Sequence, residues 1–208
     1  MGRCLTSVCV LCRREHVKLF LKGNRCFTSK CAIEMKRSAP GQHGAEFKKP
    51  SDYGLQLREK QKLRRYYLMM ERPFVKQFMR ALRTKGKTGE AFVRLLELRL
   101  DSVVFRLGLA PSRLAARQIV SHGHIAVNGR KSSIPSMSLR AGDVVQIREG
   151  HQLQLVKDSV EAAKQRKSVP NWLDLDFVKL SGKVLRLPDR AEIPVPVQEQ
   201  QIVEYYSK

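Results

Sequence analysis

Residues 112–130 read SRLAARQIVSHGHIAVNGR, and this stretch decides the fold of the chain's second half. Ser112 follows Pro111, and its hydroxyl suits the first unpaired N–H groups of a helix. The spacing predicts a helix to about His122, with Ala115, Ile119 and Val120 on its apolar side. Arg113, Arg117 and Ser121 recur at i, i+4 and i+8 and make a polar side that carries two guanidinium groups. Gly123 is the expected stop, since a left-handed residue after a helix favours glycine. Ile125 to Val127 reads as a strand, and Asn128-Gly129 as the tight turn of a hairpin. Arg130 and Lys131 follow the turn. A short helix and a hairpin, both carrying cations, suit a phosphate backbone. Gln118, His122, His124 and Asn128 are the polar candidates beside Arg113, Arg117, Arg130 and Lys131.

Charge supports that reading. The 208 residues include 40 Lys and Arg against 19 Asp and Glu, a formal charge of +21. The first hundred residues hold 24 of the basic and 8 of the acidic residues. A field of this size calls for a polyanionic partner, with nucleic acid first. An anionic membrane surface is the alternative, but no amphipathic anchor and no run of ~20 apolar residues supports it. No signal peptide is visible, so an intracellular protein, free or within a large complex, is expected. Nothing points to a small-molecule substrate.

All five cysteines lie in the first 31 residues. Cys9 and Cys12 form a C-x2-C pair, and Cys26 and Cys31 a C-x4-C pair. Two close pairs across a short loop suit four thiolates around one structural zinc ion, with no open position for a catalytic water. The odd count and the reducing compartment argue against disulfides. Cys4 is left over and read as free, with replacement of Cys9 the alternative. The loop between the pairs carries Arg13, Arg14, Lys18, Lys22 and Arg25, which offset thiolate charge and can reach phosphate. So short a segment has little core, so metal binding is expected to supply its folding energy.

Residues 38–51, SAPGQHGAEFKKPS, read as an extended connector with Lys48 and Lys49 as its cations. A helix is expected from Ser51, with Leu63, Tyr67 and Met70 as a buried stripe. Arg58, Lys62 and Arg65 form a basic stripe on it, widened by Lys60 and Arg64. Pro73 suits the first turn of another helix whose Phe74, Phe78 and Leu82 form core. One more helix is expected over about 90–107. Beyond the hairpin, residues 159–166 read as helix, 172–175 and 184–187 as strands with Trp172 in the core, and 198–206 as a last helix.

The 112–130 string closely resembles a small RNA-binding module found in a primary ribosomal protein, in some pseudouridine synthases and beside a tyrosyl-tRNA synthetase. The resemblance begins at Leu96-Glu97-Leu98-Arg99-Leu100-Asp101 and continues through Leu139-Arg140-Ala141-Gly142-Asp143 and a strand from Val144 to Arg148. Further strings extend it to the whole chain: Met1-Gly2-Arg3, Arg13-Arg14-Glu15, Pro40-Gly41-Gln42-His43-Gly44, Ser51-Asp52-Tyr53, Leu57-Arg58-Glu59-Lys60-Gln61-Lys62, Leu187-Pro188-Asp189-Arg190 and Glu204-Tyr205-Tyr206-Ser207-Lys208. With these, the chain resembles the family of bacterial small-subunit ribosomal protein number four, in its four-cysteine, zinc-binding form.

The resemblance implies an α+β fold: an N-terminal zinc-binding segment with its connector over 1–46, a small helical bundle over 47–97 completed by a helix at 198–208, and an inserted mixed α/β RNA-binding domain with antiparallel strands over 98–194. It implies a non-enzymatic protein that binds the multi-helix junction in the 5′ domain of 16S rRNA and nucleates assembly of the small (30S) subunit. It also implies neighbours, ribosomal proteins three and five, a place near the mRNA entry channel, and a contribution to decoding accuracy. The zinc ligands it implies are Cys9, Cys12, Cys26 and Cys31. The candidate RNA-binding residues are Arg3, Arg13, Arg14, Lys22, Lys48, Lys49, Arg58, Lys60, Lys62, Arg64, Arg65 and Arg99, with Arg113, Arg117, Gln118, His122, His124, Asn128, Arg130 and Lys131 from the module. Glu46 and Phe47 depart from the basic residues common in the family's connector, and Cys4 from a common aromatic.

Two other classes compete. An RNA-modifying enzyme needs a catalytic domain, and only about fifty residues follow the module, which is too few. A zinc-dependent DNA regulator needs a recognition helix after the cysteines and a dimer interface, and neither is visible.

Overall fold

The structure is a computed structural model and describes residues 7–44, 49, 51–148, 150, 154–166 and 169–207. The chain divides into two compact units, Met1–Phe92 with Val195–Lys208, and Val93–Pro194.

The first unit is helical. Helix α1 spans Val8–Glu15, and a short 3-10 helix spans Gly23–Phe27. Helix α2 runs over Asp52–Tyr66; the Ser51 hydroxyl accepts from the Gly54 N–H at 3.2 Å, and Asp52 puts negative charge at the positive end of the helix. Helix α3 spans Glu71–Leu82, with Pro73 in the first turn, where its missing N–H costs nothing. Helix α4 spans Thr88–Glu97 and carries the chain into the second unit. Phe74 and Phe78 meet Phe92 edge-on, with centroids 5.0 and 5.3 Å apart, an arrangement that aromatic quadrupoles favour. The last helix returns to close this unit. Tyr206 stacks on Phe78 at 4.5 Å, Ile202 is fully buried, and the Gln198 N–H donates to Glu59 Oε2 at 3.0 Å.

Two expected core residues are on the surface. Met70 is exposed because α2 ends at Tyr66; Leu68 takes a left-handed conformation (φ 52°), and Met70 becomes the residue before α3. Leu82 is exposed because Ala81, one position earlier, takes the buried place beside Phe78.

The second unit holds α5 (Leu100–Arg106), α6 (Arg113–Ser121) and β1 (Ile125–Val127). There follow β2 (Arg130–Ser132), β3 (Val144–Ile147), α7 (Gln154–Arg166), β4 (Leu173–Asp176) and β5 (Ser181–Val184). The strands form one antiparallel sheet in the order β2-β1-β3-β5-β4. Its core joins Val103 and Val104 of α5 and Leu107, which follows it, to Ile119 and Val120 of α6, Val145 of β3 and Trp172.

The helix expected over 90–107 is two helices. Arg99 is extended and bridges Ser138, the Leu100 N–H donates to the Met137 carbonyl at 2.8 Å, and the Leu139 N–H to that of Leu98 at 2.8 Å. These bonds to the 135–139 segment replace helical ones at the break. The strand expected over 184–187 lies three residues earlier. Gly182 sits inside β5 opposite Val145 and Leu175. A Cβ there would stand 2.3 Å from Leu107 Cδ2, so glycine is what lets α5 lie against the sheet.

Candidate nucleic-acid interface

Helix α6 begins as expected: Ser112 Oγ accepts from the Ala115 N–H at 3.2 Å. Its arginines do not lie free on a polar face. Arg113 is only 6% exposed; its Nη2 donates to Glu97 Oε1 at 3.2 Å, and its guanidinium stands 4.8 Å over the Phe105 ring. Glu97 is fully buried and also receives two hydrogen bonds from Arg106, at 3.0 and 2.6 Å. One turn along, Asp101 is gripped by Arg99 through paired bonds of 3.0 and 2.7 Å, and Arg117 approaches it at 3.8 Å. Arg113 and Arg117 lie one turn apart on α6 and meet Glu97 at the end of α4 and Asp101 on α5, so the two pairs form a ladder. The reading of Arg99 and Arg113 as surface cations is therefore corrected. Both are buried, each against a buried carboxylate: Arg99 on Asp101, and Arg113 beside Arg106 on Glu97.

The same correction applies to part of the basic stripe on α2. Lys60 is 5% exposed and donates to Glu71 Oε1 at 2.6 Å beneath the Tyr205 ring. Glu15, at the end of α1, is buried and pairs with both Arg65 and Arg58, the latter at 3.4 Å. Burial pushes the Glu15 carboxyl up and the Arg65 guanidinium down, so desolvation outweighs their attraction. Lys62 pairs with Glu59, and Arg64 Nε donates to Gln61 at 2.7 Å with Glu71 at 3.4 Å. These cations tie α1, α2 and α3 together, and the stripe lies mostly half-buried.

Other candidates do face solvent. Arg14, Lys22 and Lys49 are exposed on the first unit, and Gln118, His122, Arg130 and Lys131 on the second. Arg13 is half-buried and bonds the Ser38 carbonyl at 3.2 Å; His124 is half-buried. Asn128 takes φ 50° and Gly129 φ 78°, the twist a two-residue hairpin requires. The Asn128 side chain serves the fold: it donates to Asp143 Oδ1 and accepts from the Val144 N–H, both at 2.9 Å. Arg3 and Lys48 lie outside the described residues, as does Cys4.

The sequence reading missed two features here. Arg148 Nη1 reaches the Gly123 carbonyl at 3.1 Å, adding a cation where α6 ends and its dipole is negative. A shallow groove of about 610 Å³ runs beside the hairpin, with Val127, Ile134 and Met137 as apolar wall and Arg130 and Lys131 as basic rim. Ile134 and Met137 carried no periodic signal, since they lie in a loop.

Cys9 and Cys12 sit on α1, Cys26 in the 3-10 helix and Cys31 just beyond it. Cys12, Cys26 and Cys31 are buried. Burial raises the Cys12 and Cys26 thiols, and the other cysteines of the group push in the same direction. The Lys22 N–H donates to Cys26 Sγ at 3.4 Å, and the Leu19 backbone bonds Cys12. Among the described residues no three Cys, His, Asp or Glu side chains already stand in a metal-holding arrangement. The donor chemistry nevertheless fits zinc: four soft ligands within electrostatic reach of one another, with backbone N–H groups on two sulfurs.

Comparison with known proteins gives this architecture its relatives. Residues 3–97 match the family described as ribosomal protein S4/S9 N-terminal domain, and residues 98–145 match the S4 domain. The small ribosomal subunit protein uS4 of Thermodesulfovibrio yellowstonii is 52% identical over 209 residues, with 100% of both chains covered. The chain belongs to the ribosomal protein S4 family. Protein uS4A of Symbiobacterium thermophilum is 54% identical and uS4 of Thermus thermophilus 52%, again over 100% of both chains. The S4 domain match ends at residue 145, so β4, β5 and α7 lie beyond it within the same compact unit. No helix among the described residues is long and apolar enough to cross a membrane.

Proposed function

We propose that this protein is a structural, non-enzymatic constituent of the small ribosomal subunit that binds the multi-helix junction of the 5′ domain of 16S rRNA and nucleates 30S assembly in the cytoplasm. Full-length identity of 52% to uS4 proteins carries this reading. The physics agrees with it. A chain of charge +21 spends part of its basic residues on internal carboxylates and leaves others exposed on both units. Exposed lysines and arginines neutralise phosphates and release counterions, and folded RNA is recognised through shape, phosphates and 2′-hydroxyls.

The finer reading follows the family. Ribosomal proteins three and five are the protein neighbours, the mRNA entry channel is near, and decoding accuracy depends on the contact with protein five. Cys9, Cys12, Cys26 and Cys31 hold one structural zinc ion, whose bonds replace the core this short segment lacks.

An enzymatic reading finds no support in the aspartates of the module. Asp101 is locked between Arg99 and Arg117, and Asp143 bonds Asn128 and the Arg140 N–H. The test is reconstitution: 5′-domain RNA with the purified protein forms a compact complex that later subunit proteins join. Failure to join, with the protein folded, contradicts the assignment.

A further inference from the structure

One surface of the cysteine-bearing segment has no place in that account. Leu19 and Leu21 are both buried, while Phe20 between them takes a left-handed backbone (φ 52°) and is 38% exposed. That conformation is costly for a residue with a Cβ, and here it turns an aromatic ring outward. Phe27, the last residue of the 3-10 helix, is 58% exposed. The two rings lie 5.2 Å apart at 31°, so they form a tilted pair at the surface.

The charges next to the pair in sequence are one-sided. Lys22, Arg25 and Lys30 are all exposed and neighbour the rings in sequence, and among the described residues no carboxylate pairs with them. Glu34 is taken by Lys18. Aromatic faces set among unanswered cations match a ligand that combines flat π surfaces with negative charge. An apolar peptide offers no anion, and a membrane offers no flat ring.

We infer that the Phe20–Phe27 pair is a stacking platform for an unpaired nucleotide of ribosomal RNA, whose flanking phosphates meet Lys22, Arg25 and Lys30. The inference rests on the rRNA-binding reading above. Stacking on an aromatic side chain is tolerant of base identity, so the contact adds affinity and position rather than sequence choice.

The test uses the full chain and 5′-domain RNA. Wild type, Phe27→Leu and Phe27→Trp are compared for affinity, salt dependence, melting temperature and base-by-base chemical reactivity of the RNA. Phe27→Leu is expected to weaken binding about tenfold without changing the salt slope. Phe27→Trp is expected to restore it, and one unpaired base shielded by wild type becomes reactive with the Leu variant. Ultraviolet crosslinking of the unaltered protein is expected to join RNA to a peptide containing Phe20 or Phe27, a result that no folding defect can mimic. Equal affinity and footprint for wild type and Phe27→Leu, or crosslinks only elsewhere, overturn the platform and leave the ribosomal reading standing. Wild type that prefers 5′-domain RNA no more than an unrelated folded RNA overturns both.

Discussion

Arg113 Nη2 lies 3.2 Å from Glu97 Oε1, and both residues are buried, so this guanidinium holds the module together from within. Glu97 ends α4 and Arg113 begins α6, and Arg106 of α5 completes the triad with two bonds to the same carboxylate. Removing Glu97 strands two guanidinium groups in a dry site. Glu97→Ala is expected to destabilise the fold by about 3–5 kcal/mol, and Arg113→Ala, which leaves Glu97 bonded to Arg106, by less. Urea melts check both. Loss of RNA binding in Arg113→Ala should then track unfolding and disappear where the variant is fully folded.

Arg130 and Lys131 occupy the exposed edge strand β2 and rim the groove. Replacing both with alanine is expected to leave stability within about 0.5 kcal/mol. Affinity for 5′-domain RNA falls, and the slope of log affinity against log salt shrinks by about 0.7–0.9 per lost phosphate contact. Titration at several salt concentrations reads this. An unchanged slope removes these two residues from the interface.

Gly182 faces Leu107 across a gap too small for a methyl group. Gly182→Ala is expected to cost about 1–3 kcal/mol through overpacking. Pairing it with Leu107→Ala is expected to recover part of that loss, which a double-mutant cycle in thermal melts detects.

Arg186 grips Glu192 with bonds of 2.8 and 2.5 Å, and the Asp189 N–H adds a third at 3.1 Å. The guanidinium first and the backbone N–H second hold the Glu192 carboxyl below its usual range. A carboxylate lowered in the folded state contributes stability above its ordinary pKa, and that contribution is lost as pH falls through the lowered value. NMR titration is expected to show Glu192 ionising below a free glutamate, and Arg186→Ala is expected to raise it back.

Zinc removal gives a further check. The purified protein is expected to carry about one zinc ion, and chelation is expected to lower its melting temperature. Cys12→Ser is expected to abolish loading. Equal stability with and without chelator counts against a metal-folded segment.

Much of the fold was legible where a local rule and the tertiary need agreed. Ser112 caps α6 through its hydroxyl, Gly123 and Asn128-Gly129 follow it with left-handed backbone, and Ser51 caps α2 as Ser112 does α6, all from local preferences. The break at Arg99 was not legible, because a distant segment around Met137 supplies the hydrogen bonds that end α4. The start of β5 was not legible for a related reason: the role of Gly182 within it is set by Leu107, far away in sequence. In the candidate interface, exposed cations such as Lys131 are where the sequence put them, while Lys60, Arg99 and Arg113 turned inward. Helical spacing places a cation on a face; it cannot say that Glu71, Asp101 or Glu97 waits there.

The most direct test of the assignment is equilibrium binding of the full chain to the 5′ domain of small-subunit ribosomal RNA, with an unrelated folded RNA as competitor across a range of salt. The account expects tight binding that the competitor does not displace, with a salt slope of several phosphate contacts. Displacement by any folded RNA at the same concentration would contradict it.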